Sequence, residues 1–400
     1  MSPIKYIYQM GNGESCEFPQ RTVDRSDSDK ESVSYIKVDE DMNQLFNSEN
    51  EDEQDYSSKQ FDINKNPFSA VWSVYRCNGN VPKPRIGHFT AYFKKLHTCF
   101  IGYGRIEKNE YGNDVWAFNV DSCKWYNLKL HGDFVSPRNG SIATIMDHYI
   151  VVFGGEKYNN ECCNELHTID ITTGEVIFAQ THGSKPQPRK GGCIAIYQKQ
   201  LFIWGGEDNN KINNNLYVMN FNTMKWKSYS CNVEYYPGSS YIVKGSHIYV
   251  YGASETNDFT VIDMKNYTVS VEQTYPPYPP TGILFGGMVS IKNIIFYFGG
   301  YSETYWSFLY GFNIETKRWF LINIIPDGET TSISDGRINQ DGYFLLPVLY
   351  SFSAVYIDFK KEIHGYLGFP LQSRRFFSLN IINVLSYIYM KEDMLQILYQ

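Results

Sequence analysis

The sequence of 400 residues lacks the segments that would direct a chain out of the cell or into a membrane. Its amino terminus, MSPIKYIYQMGNG, has one lysine and no apolar core, so no secretory signal is predicted. Its longest apolar stretches, 283–298 and 376–390, contain Lys or Asn and are too short to cross a bilayer without polar breaks. We therefore expect a cytoplasmic protein with no membrane insertion.

Patterns of reactive or metal-binding side chains are also missing. The eight cysteines include no CxxC pair, and none of the eight histidines is spaced from a cysteine as a zinc site requires. HExxH, GxSxG and P-loop motifs do not occur. The cysteines of a cytoplasmic chain are expected to be reduced thiols. The sequence thus predicts no metal, no cofactor and no catalytic residue.

Positive charge is scarce as well, and negative charge is concentrated in one segment. The net charge is −7, which argues against a nucleic-acid-binding surface. Residues 14–62 hold 15 acidic and 5 basic side chains with few aliphatic ones. Such a segment cannot bury enough apolar surface to fold alone. We expect residues 1–65 to form an acidic, largely disordered arm, which serves as a spacer or as an interaction tail.

What the sequence does contain is a repeat of about fifty residues. Short apolar runs that end in glycine recur as CFIGYG, IVVFGG, LFIWGG, IYVYGA and IFYFGG. Runs rich in aromatic and β-branched residues predict buried strands. The glycines that end them are Gly104, Gly154, Gly155, Gly205, Gly206, Gly252, Gly299 and Gly300. Repetition at this period predicts a fold built from stacked units.

Two further features recur in each unit. A second strand closes on Asn or Asp, and a large apolar residue follows six or seven positions later: Trp125, Ile177, Trp226, Val269 and Trp319. A Pro-Arg turn precedes the glycine strand in PKPRIGH, VSPRNGS and PQPRKGG. We expect the arginines of these turns to bond the carbonyl groups of neighbouring loops. Each unit is therefore predicted to form four short strands.

These combined motifs resemble those of the kelch-repeat family, over about residues 66–358, and we expect the propeller domain to span residues 66–365. The resemblance implies an all-β fold of the galactose oxidase-like, kelch superfamily type, in which each repeat is one four-stranded blade of a β-propeller. Five units are clear, and 334–358 gives a degenerate sixth in which YFLL takes the place of the glycine strand and AVYID that of the third strand. We expect six blades.

The ring has two candidate closures. Trp72 lies 13 residues before Arg85, as Trp125 lies 13 before Arg138, so the segment around Trp72 matches an outer strand without a blade of its own. We favour closure by this amino-terminal strand; the alternative uses 363–367. Residues 366–400 are expected to be a helical tail that packs on the ring or, as the alternative, binds a partner.

The predicted site is the face that carries the loops between second and third strands, together with the segments between blades at 130–134, 180–185, 234–236 and 274–279. These loops vary in length and mix charged, amide and tyrosine side chains, as protein-binding surfaces do. The predicted contact residues are Arg105, Tyr158, Glu207, Tyr301 and Tyr305. The function that we predict is a non-catalytic scaffold or adaptor that binds a partner segment on this face.

Two alternatives come from the resemblance. Kelch proteins that carry BTB or F-box segments are substrate receptors of ubiquitin ligases, although no such segment is legible here. Galactose oxidase and the plant specifier proteins have similar folds and bind a metal, but the ExxxDxxxH iron motif of the specifier proteins is absent from this sequence. The identity of the partner stays open.

Overall fold

In a computed structural model of the chain, the described residues are 66–107, 110–209, 211–301, 307–370 and 373–398. They form six antiparallel sheets arranged around an axis, so the predicted all-β kelch-type propeller of six blades is confirmed. The predicted acidic arm, residues 1–65, lies outside the described residues.

The first five blades each use four consecutive strands, ordered from the axis outward. Blade 1 has Phe89–Phe93, Thr98–Gly102, Val115–Asn119 and Lys124–Leu128. Blade 2 has Ile142–Met146, Tyr149–Phe153, Leu166–Asp170 and Glu175–Phe178. Blade 3 has Cys193–Tyr197, Gln200–Trp204, Leu216–Asn220 and Lys225–Tyr229. Blade 4 has Ser240–Lys244, His247–Tyr251, Phe259–Asp263 and Thr268–Glu272. Blade 5 has Gly287–Ile291, Ile294–Phe298, Leu309–Asn313 and Arg318–Ile322.

Blade 6 joins the two ends of the described chain. Its inner strands are Ser353–Ile357, Glu362–Tyr366 and Arg375–Asn380, and its outer strand is Ala70–Arg76. The outer strand pairs antiparallel with the third strand, with Val71 opposite Asn380. The amino-terminal closure is therefore confirmed, and the alternative that used 363–367 is wrong. Closure covers the edge of the third strand, Arg375–Asn380, which would otherwise be unpaired.

The strands of blade 6 differ from those predicted. AVYID forms the first strand rather than the third, and YFLL supplies a separate hairpin in which Phe344–Leu345 pairs with Arg337–Ile338. The position of the glycine pair is taken by Leu367 and Gly368, which have φ values of 54° and 81°. Because Arg375–Asn380 belongs to the blade, the propeller extends past the boundary predicted at residue 365.

Short segments between blades run along the outer wall. His131–Gly132 pairs in parallel with the outer strand of blade 2, and His182–Gly183 does so in blade 3. Ile324–Pro326 adds to blade 6, and single bridges at Asn78 and Tyr275 repeat the arrangement in blades 1 and 5. Placing 130–134, 180–185 and 274–279 on the loop face was therefore wrong, because these segments first lie beside outer strands.

The remaining short elements lie outside the four-stranded blades. The two-strand pairs are Arg105–Glu107 with Glu110–Tyr111, Arg138–Asn139 with Glu156–Lys157, and Glu207–Asp208 with Lys211–Ile212. The 3-10 turns are Lys94–Leu96 and Ile333–Asp335.

The core consists of six clusters, one between each pair of adjacent blades. The outer-strand tryptophans Trp72, Trp125, Trp226 and Trp319 are at most 4% exposed, and each packs towards the preceding blade. Burial of an indole fills the gap that widens outward between blades. In blade 2, Val176 holds this position, whereas Ile177 is 49% exposed, so the sequence interpretation of Ile177 was wrong.

The glycine pairs, or the residues that take their place, connect a blade to the next one at five of the six junctions. The second residue of the pair donates its backbone N–H to the carbonyl at the arginine position of the following blade: Gly104 to Arg138, Gly155 to Arg189, Ala253 to Ile283, Gly300 to Leu349 and Gly368 to Arg85. At Gly154, with φ of 68°, a Cβ would come within 2.5 Å of the Arg189 carbonyl oxygen. A side chain at this position would push the two blades apart.

The chain leaves blade 6 into one helix, Ile382–Leu398, which confirms the helical tail. Val384 and Leu385 join the core cluster between blades 5 and 6, and Tyr387 stacks on Phe68 with ring centroids 4.3 Å apart. The helix is thus attached to the ring where the amino-terminal strand enters it. In the described parts of the chain, no helix has both the length and the apolar character to cross a membrane.

Candidate functional site

The ring has two faces, which differ in their connections. The loop face carries the segments that join second to third strands, and the turn face carries the short turns that join first to second strands. A cavity of about 920 Å³ lies along the axis between them, lined by the first strands of the blades. In propellers such loops, presented by a rigid frame, are where binding residues concentrate.

Three buried arginines hold the loop face together. Arg85, Arg138 and Arg189 are each 1% exposed. Arg138 Nη1 donates to the Gly154 carbonyl at 3.3 Å, and Arg189 Nη1 donates to the Gly205 carbonyl at 2.8 Å. These bonds confirm that the Pro-Arg turns fix neighbouring loop carbonyls, so the arginines are not free to contact a partner.

The arginine of blade 1 also forms an ion pair. Its guanidinium donates to both carboxylate oxygens of Asp114, at 2.5 and 3.0 Å. Burial raises the pKa of Asp114, but the hydrogen bonds and charge of Arg85 outweigh that effect and the pKa is lowered overall. Asp114 is therefore ionised at neutral pH and fixes the start of the third strand.

The predicted contact residues take related places on the loop face. Arg105, Glu207 and Tyr301 each follow the glycine pair of their blade and form an antiparallel bridge, with Ile86, Lys190 and Leu284 respectively. Tyr158 is 60% exposed at the tip of its loop in blade 2. Tyr305 lies outside the described residues. Their role in binding stays a prediction.

These residues fall into separate neighbourhoods rather than one cluster. Tyr158 meets Tyr111 of blade 1 edge to face, with centroids 6.3 Å apart. Lys190 lies 2.8 Å from Glu156 and 4.0 Å from Glu207, so charge is largely balanced between blades 2 and 3. The loop face therefore has an aromatic contact between blades 1 and 2 and a charged group between blades 2 and 3.

Tyr301 has an aromatic neighbourhood of its own. It packs edge to face on Tyr350 at 5.8 Å, and Tyr350 stacks on Phe369 of blade 6 at 5.0 Å. No repeat motif points to Tyr350, because it lies in blade 6, whose repeat departs from the pattern of the other five.

Phe285 is a second loop-face residue that the sequence analysis missed. It occupies a turn position that is left-handed in every blade: Gly87, Gly140, Gly191, Gly238, Phe285 and Ser351. Four blades use glycine there, whereas Phe285 adopts φ of 57° and is 40% exposed beside the axial cavity. A bulky side chain in this region of φ is strained, and such strain is concentrated at functional sites. The signal would have been its alignment with the glycines of the Pro-Arg turns.

The junction of blades 3 and 4 departs from the others. Blade 4 has YYPGSS in place of the Pro-Arg turn, and Tyr235 is buried there with its hydroxyl accepting the Gly192 N–H at 3.1 Å. The neighbouring Tyr236 is 39% exposed and lines a cavity of about 270 Å³. The loop face thus has a second concave feature beside the axial cavity.

One arrangement in the axial cavity resembles a catalytic pair. His88 Nε2 lies 2.7 Å from Ser353 Oγ, but Ser353 is 3% exposed. Desolvation in the cavity wall and the positive charge of Arg85 lower the pKa of His88 to about 3, so its imidazole is a weak base. Nδ1 of His88 is buried without a partner to orient the ring. The arrangement favours a packing role over nucleophilic catalysis.

The cysteine thiols and the possible metal-binding groups are the candidates for chemistry besides the His88 pair. Burial raises the pKa of the Cys77 thiol to about 12 and also that of Cys99 and Cys193, so these groups are protonated. Among the described residues, no group of three or more His, Cys, Asp or Glu side chains could hold a metal ion.

Comparison with known proteins gives the same repeat. The family model described as the KLHDC2/KLHL20/DRC7 Kelch-repeats domain matches residues 44–253 and 179–335. The chain is 28% identical to acyl-CoA-binding domain-containing protein 4 of Arabidopsis thaliana over 40% of its own length and 24% of that protein. It is 26% identical to Kelch domain-containing protein 3 of Rattus norvegicus over 42% of its length and 45% of that protein.

A third relative matches over more of the chain. The leucine-zipper-like transcriptional regulator 1 homolog of Drosophila melanogaster is 23% identical over 57% of the chain and 25% of that protein. The chain matches less than half the length of each of these three relatives. Kelch propellers are in general protein-interaction modules. The matched repeats and the six-blade ring together show that this chain belongs to the kelch-repeat family.

Proposed function

We propose that the loop face captures a segment of a partner protein and that the chain acts as a cytoplasmic, non-catalytic scaffold or adaptor. The observation that supports this most directly is Phe285, a strained aromatic residue at the rim of the axial cavity. Strain at a surface position is retained when the side chain has a use that glycine cannot supply.

Other aromatic side chains on this face support the proposal. Tyr158 and Tyr236 are 60% and 39% exposed, in blade 2 and at the junction of blades 3 and 4. Tyr301, which follows the glycine pair of blade 5, is partly exposed. Tyrosine and arginine anchors contribute most of the binding energy in many protein interfaces. Charged neighbours such as Glu207 and Arg105 would then select the partner rather than supply most of the affinity.

The test compares matched aromatic substitutions on the two faces. The full chain is immobilised in four forms, unchanged, Tyr158→Ala, Phe285→Gly and Phe359→Ala, and retained proteins are identified by mass spectrometry. Phe359 is 50% exposed on the turn face, stacked on His97, and serves as the control. We expect the same partner to be lost from both loop-face variants and kept by Phe359→Ala.

Two outcomes would contradict the proposal. A partner retained equally by all four forms would place binding elsewhere on the chain. Loss only from Phe359→Ala would move it to the turn face. Recovery of a cullin with the unchanged chain would favour the substrate-receptor alternative over a simple adaptor.

A further inference from the structure

The turn face carries a concentration of lysines that no single repeat reveals. The six turns that join first to second strands span 93–97, 146–148, 197–199, 244–246, 291–293 and 357–361. They contain seven lysines and two aspartates, a net charge of +5. We call these lysines the lysine rim: Lys94, Lys95, Lys199, Lys244, Lys292, Lys360 and Lys361.

The ring geometry is what brings the lysine rim together. The turns lie about fifty residues apart in sequence, but the first strands surround the axial cavity, so the turns surround its opening on this face. Blades 1, 3, 4, 5 and 6 each contribute at least one lysine. The turn of blade 2 carries Asp147 instead, but charge that is mostly of one sign around an opening still gives a positive potential along the axis.

Little of this charge is neutralised by neighbours. Asp358 lies 3.1 Å from both Lys94 and Lys361. Within the described ranges, Lys95, Lys199, Lys244 and Lys292 form no ion pair. Burial without a compensating carboxylate lowers the pKa of Lys244. Four lysines without an ion pair, around an opening with a net positive charge, have the chemistry that recognises an acidic segment.

The lysine rim also borders a concave site. A cavity of about 570 Å³ lies between the carboxy-terminal helix and the turns of blades 1, 5 and 6, and Lys94, Lys292 and Lys361 are among its lining residues. Lys292 Nζ lies 3.5 Å from the ring centroid of Tyr389 on the helix. The helix thus holds one wall of a basic recess on this face.

The amino-terminal arm enters the propeller on this same face. Val71 pairs with Asn380 at the turn-face end of blade 6, and Phe68 stacks on Tyr387 of the helix. Residues 14–62 carry a net charge of −10. Glu51 and Asp55 precede Asn66 by 15 and 11 residues, so covalent geometry lets them reach roughly 36–50 Å from it.

We propose that the lysine rim is the docking surface of the chain's own acidic arm, residues 14–62. Charge complementarity and the entry of the arm beside the basic recess select this occupant over an external one. Docking would cover the turn face and leave the loop face open, so it is separate from the partner binding proposed above.

Carbodiimide cross-linking of the full chain tests this directly, because it joins carboxylates to lysines that touch them. Mass spectrometry of cross-links formed at 50 mM and 500 mM NaCl would use a mixture of unlabelled and ¹⁵N-labelled protein. We expect links from Glu51, Asp52, Glu53 and Asp55 to the lysine rim, within one molecule. Screening should reduce their yield at least about fivefold at the higher salt, because the Debye length shortens to a few ångströms.

Two triple variants provide the matched comparison. Lys95→Gln, Lys199→Gln and Lys292→Gln remove three exposed rim lysines, and Lys185→Gln, Lys211→Gln and Lys227→Gln remove three exposed lysines elsewhere. The first set should abolish most links from the arm to the rim, including those to unchanged Lys94, and the second should leave them intact.

Three results would overturn the proposal. Links spread evenly over lysines of both faces would show no preferred site. Links between labelled and unlabelled molecules would make a second copy the occupant. Equal binding of phosphatidylserine vesicles by the native chain and by one with Glu51, Asp52, Glu53 and Asp55 changed to amides would show that the rim is open to external anions.

Discussion

The loop face and the turn face are built from the same six repeats but carry charge differently. On the loop face, basic groups such as Arg138 are buried and bonded to backbone carbonyls, and the loops in the five clear repeats hold four basic and eight acidic residues. On the turn face, the connections are short, and four of the seven rim lysines are exposed: Lys94, Lys95, Lys199 and Lys292. The comparison shows that a repeat can fix one face through buried arginines and place a net positive charge on the other.

The difference has a physical origin in the loops. Long connections leave many backbone carbonyls without strand partners, and a buried guanidinium with five donors can satisfy several of them. A turn of two to four residues has few such groups, so its lysines remain in solvent. Stability should therefore depend strongly on loop-face cations and weakly on turn-face ones.

The largest effect is expected from Arg189→Ala. This change removes donors to the carbonyls of Gln187 and Gly205 and a cation–π contact with Tyr217. Leaving buried acceptors unsatisfied should lower the free energy of unfolding by about 2–4 kcal/mol. Urea unfolding at pH 7 measures it, with Lys199→Ala as the turn-face control. Equal losses in the two variants would remove the distinction between the faces.

Asp114→Asn should have a smaller effect that depends on pH. The folded pKa of Asp114 lies below its ordinary value of 3.8, so its ionised form stabilises the fold above that pH. The stabilisation is lost as pH falls through the folded pKa. Because the side chain is 35% exposed, we expect about 1–2 kcal/mol at pH 7. Unfolding measured between pH 7 and pH 2.5 should show the native and variant proteins converging; a gap that widens on acidification would contradict this.

Phe285→Gly should change the free energy of unfolding by less than about 1 kcal/mol, because relief of left-handed strain offsets lost packing. Phe285→Ala removes the ring but keeps a Cβ in the left-handed region, and should be less stable than Phe285→Gly by about 1 kcal/mol. Thermal and urea unfolding of the pair checks the order. A more stable alanine variant would show that Phe285 is not strained.

The smallest effect is expected from Lys94→Gln on the turn face. Its side chain is 72% exposed, and its ion pair with Asp358 lies in solvent. Exposed pairs of this kind contribute about 0.5 kcal/mol or less. Urea unfolding should barely separate the variant from the native chain. A loss as large as that of Arg189→Ala would mean that the lysine rim supports the fold itself.

Much of the fold could be predicted because its signals are local. Glycine at the end of a strand and tryptophan six residues after an Asn turn report positive φ and inter-blade burial wherever they occur. The strands of blade 6 were predicted wrongly because Leu367 and Gly368 take the place of the glycine pair. A segment of a separate hairpin was therefore assigned to the blade. A left-handed leucine is determined by the surrounding structure rather than by its own preference.

The candidate site was less predictable from sequence. Loop positions such as Arg105 and Tyr158 could be named because they follow the glycine pair, although their contacts could not. Phe285 could not be predicted because the sequence LFGG is typical of the end of a strand. The left-handed φ of the phenylalanine is seen only in the structure. The lysine rim could not be predicted for a different reason. Its turns lie about fifty residues apart in sequence and become neighbours only when the ring closes.

Closure of blade 6 also constrains how the chain can be synthesised. The strand Ala70–Arg76 pairs with residues up to Asn380, about 300 positions later. A ribosome adding about 5–20 residues per second needs roughly 15–60 s to make that partner. Because Trp72 lies on that strand, its place in the core between blades 5 and 6 can be completed only after almost all of the chain has been made.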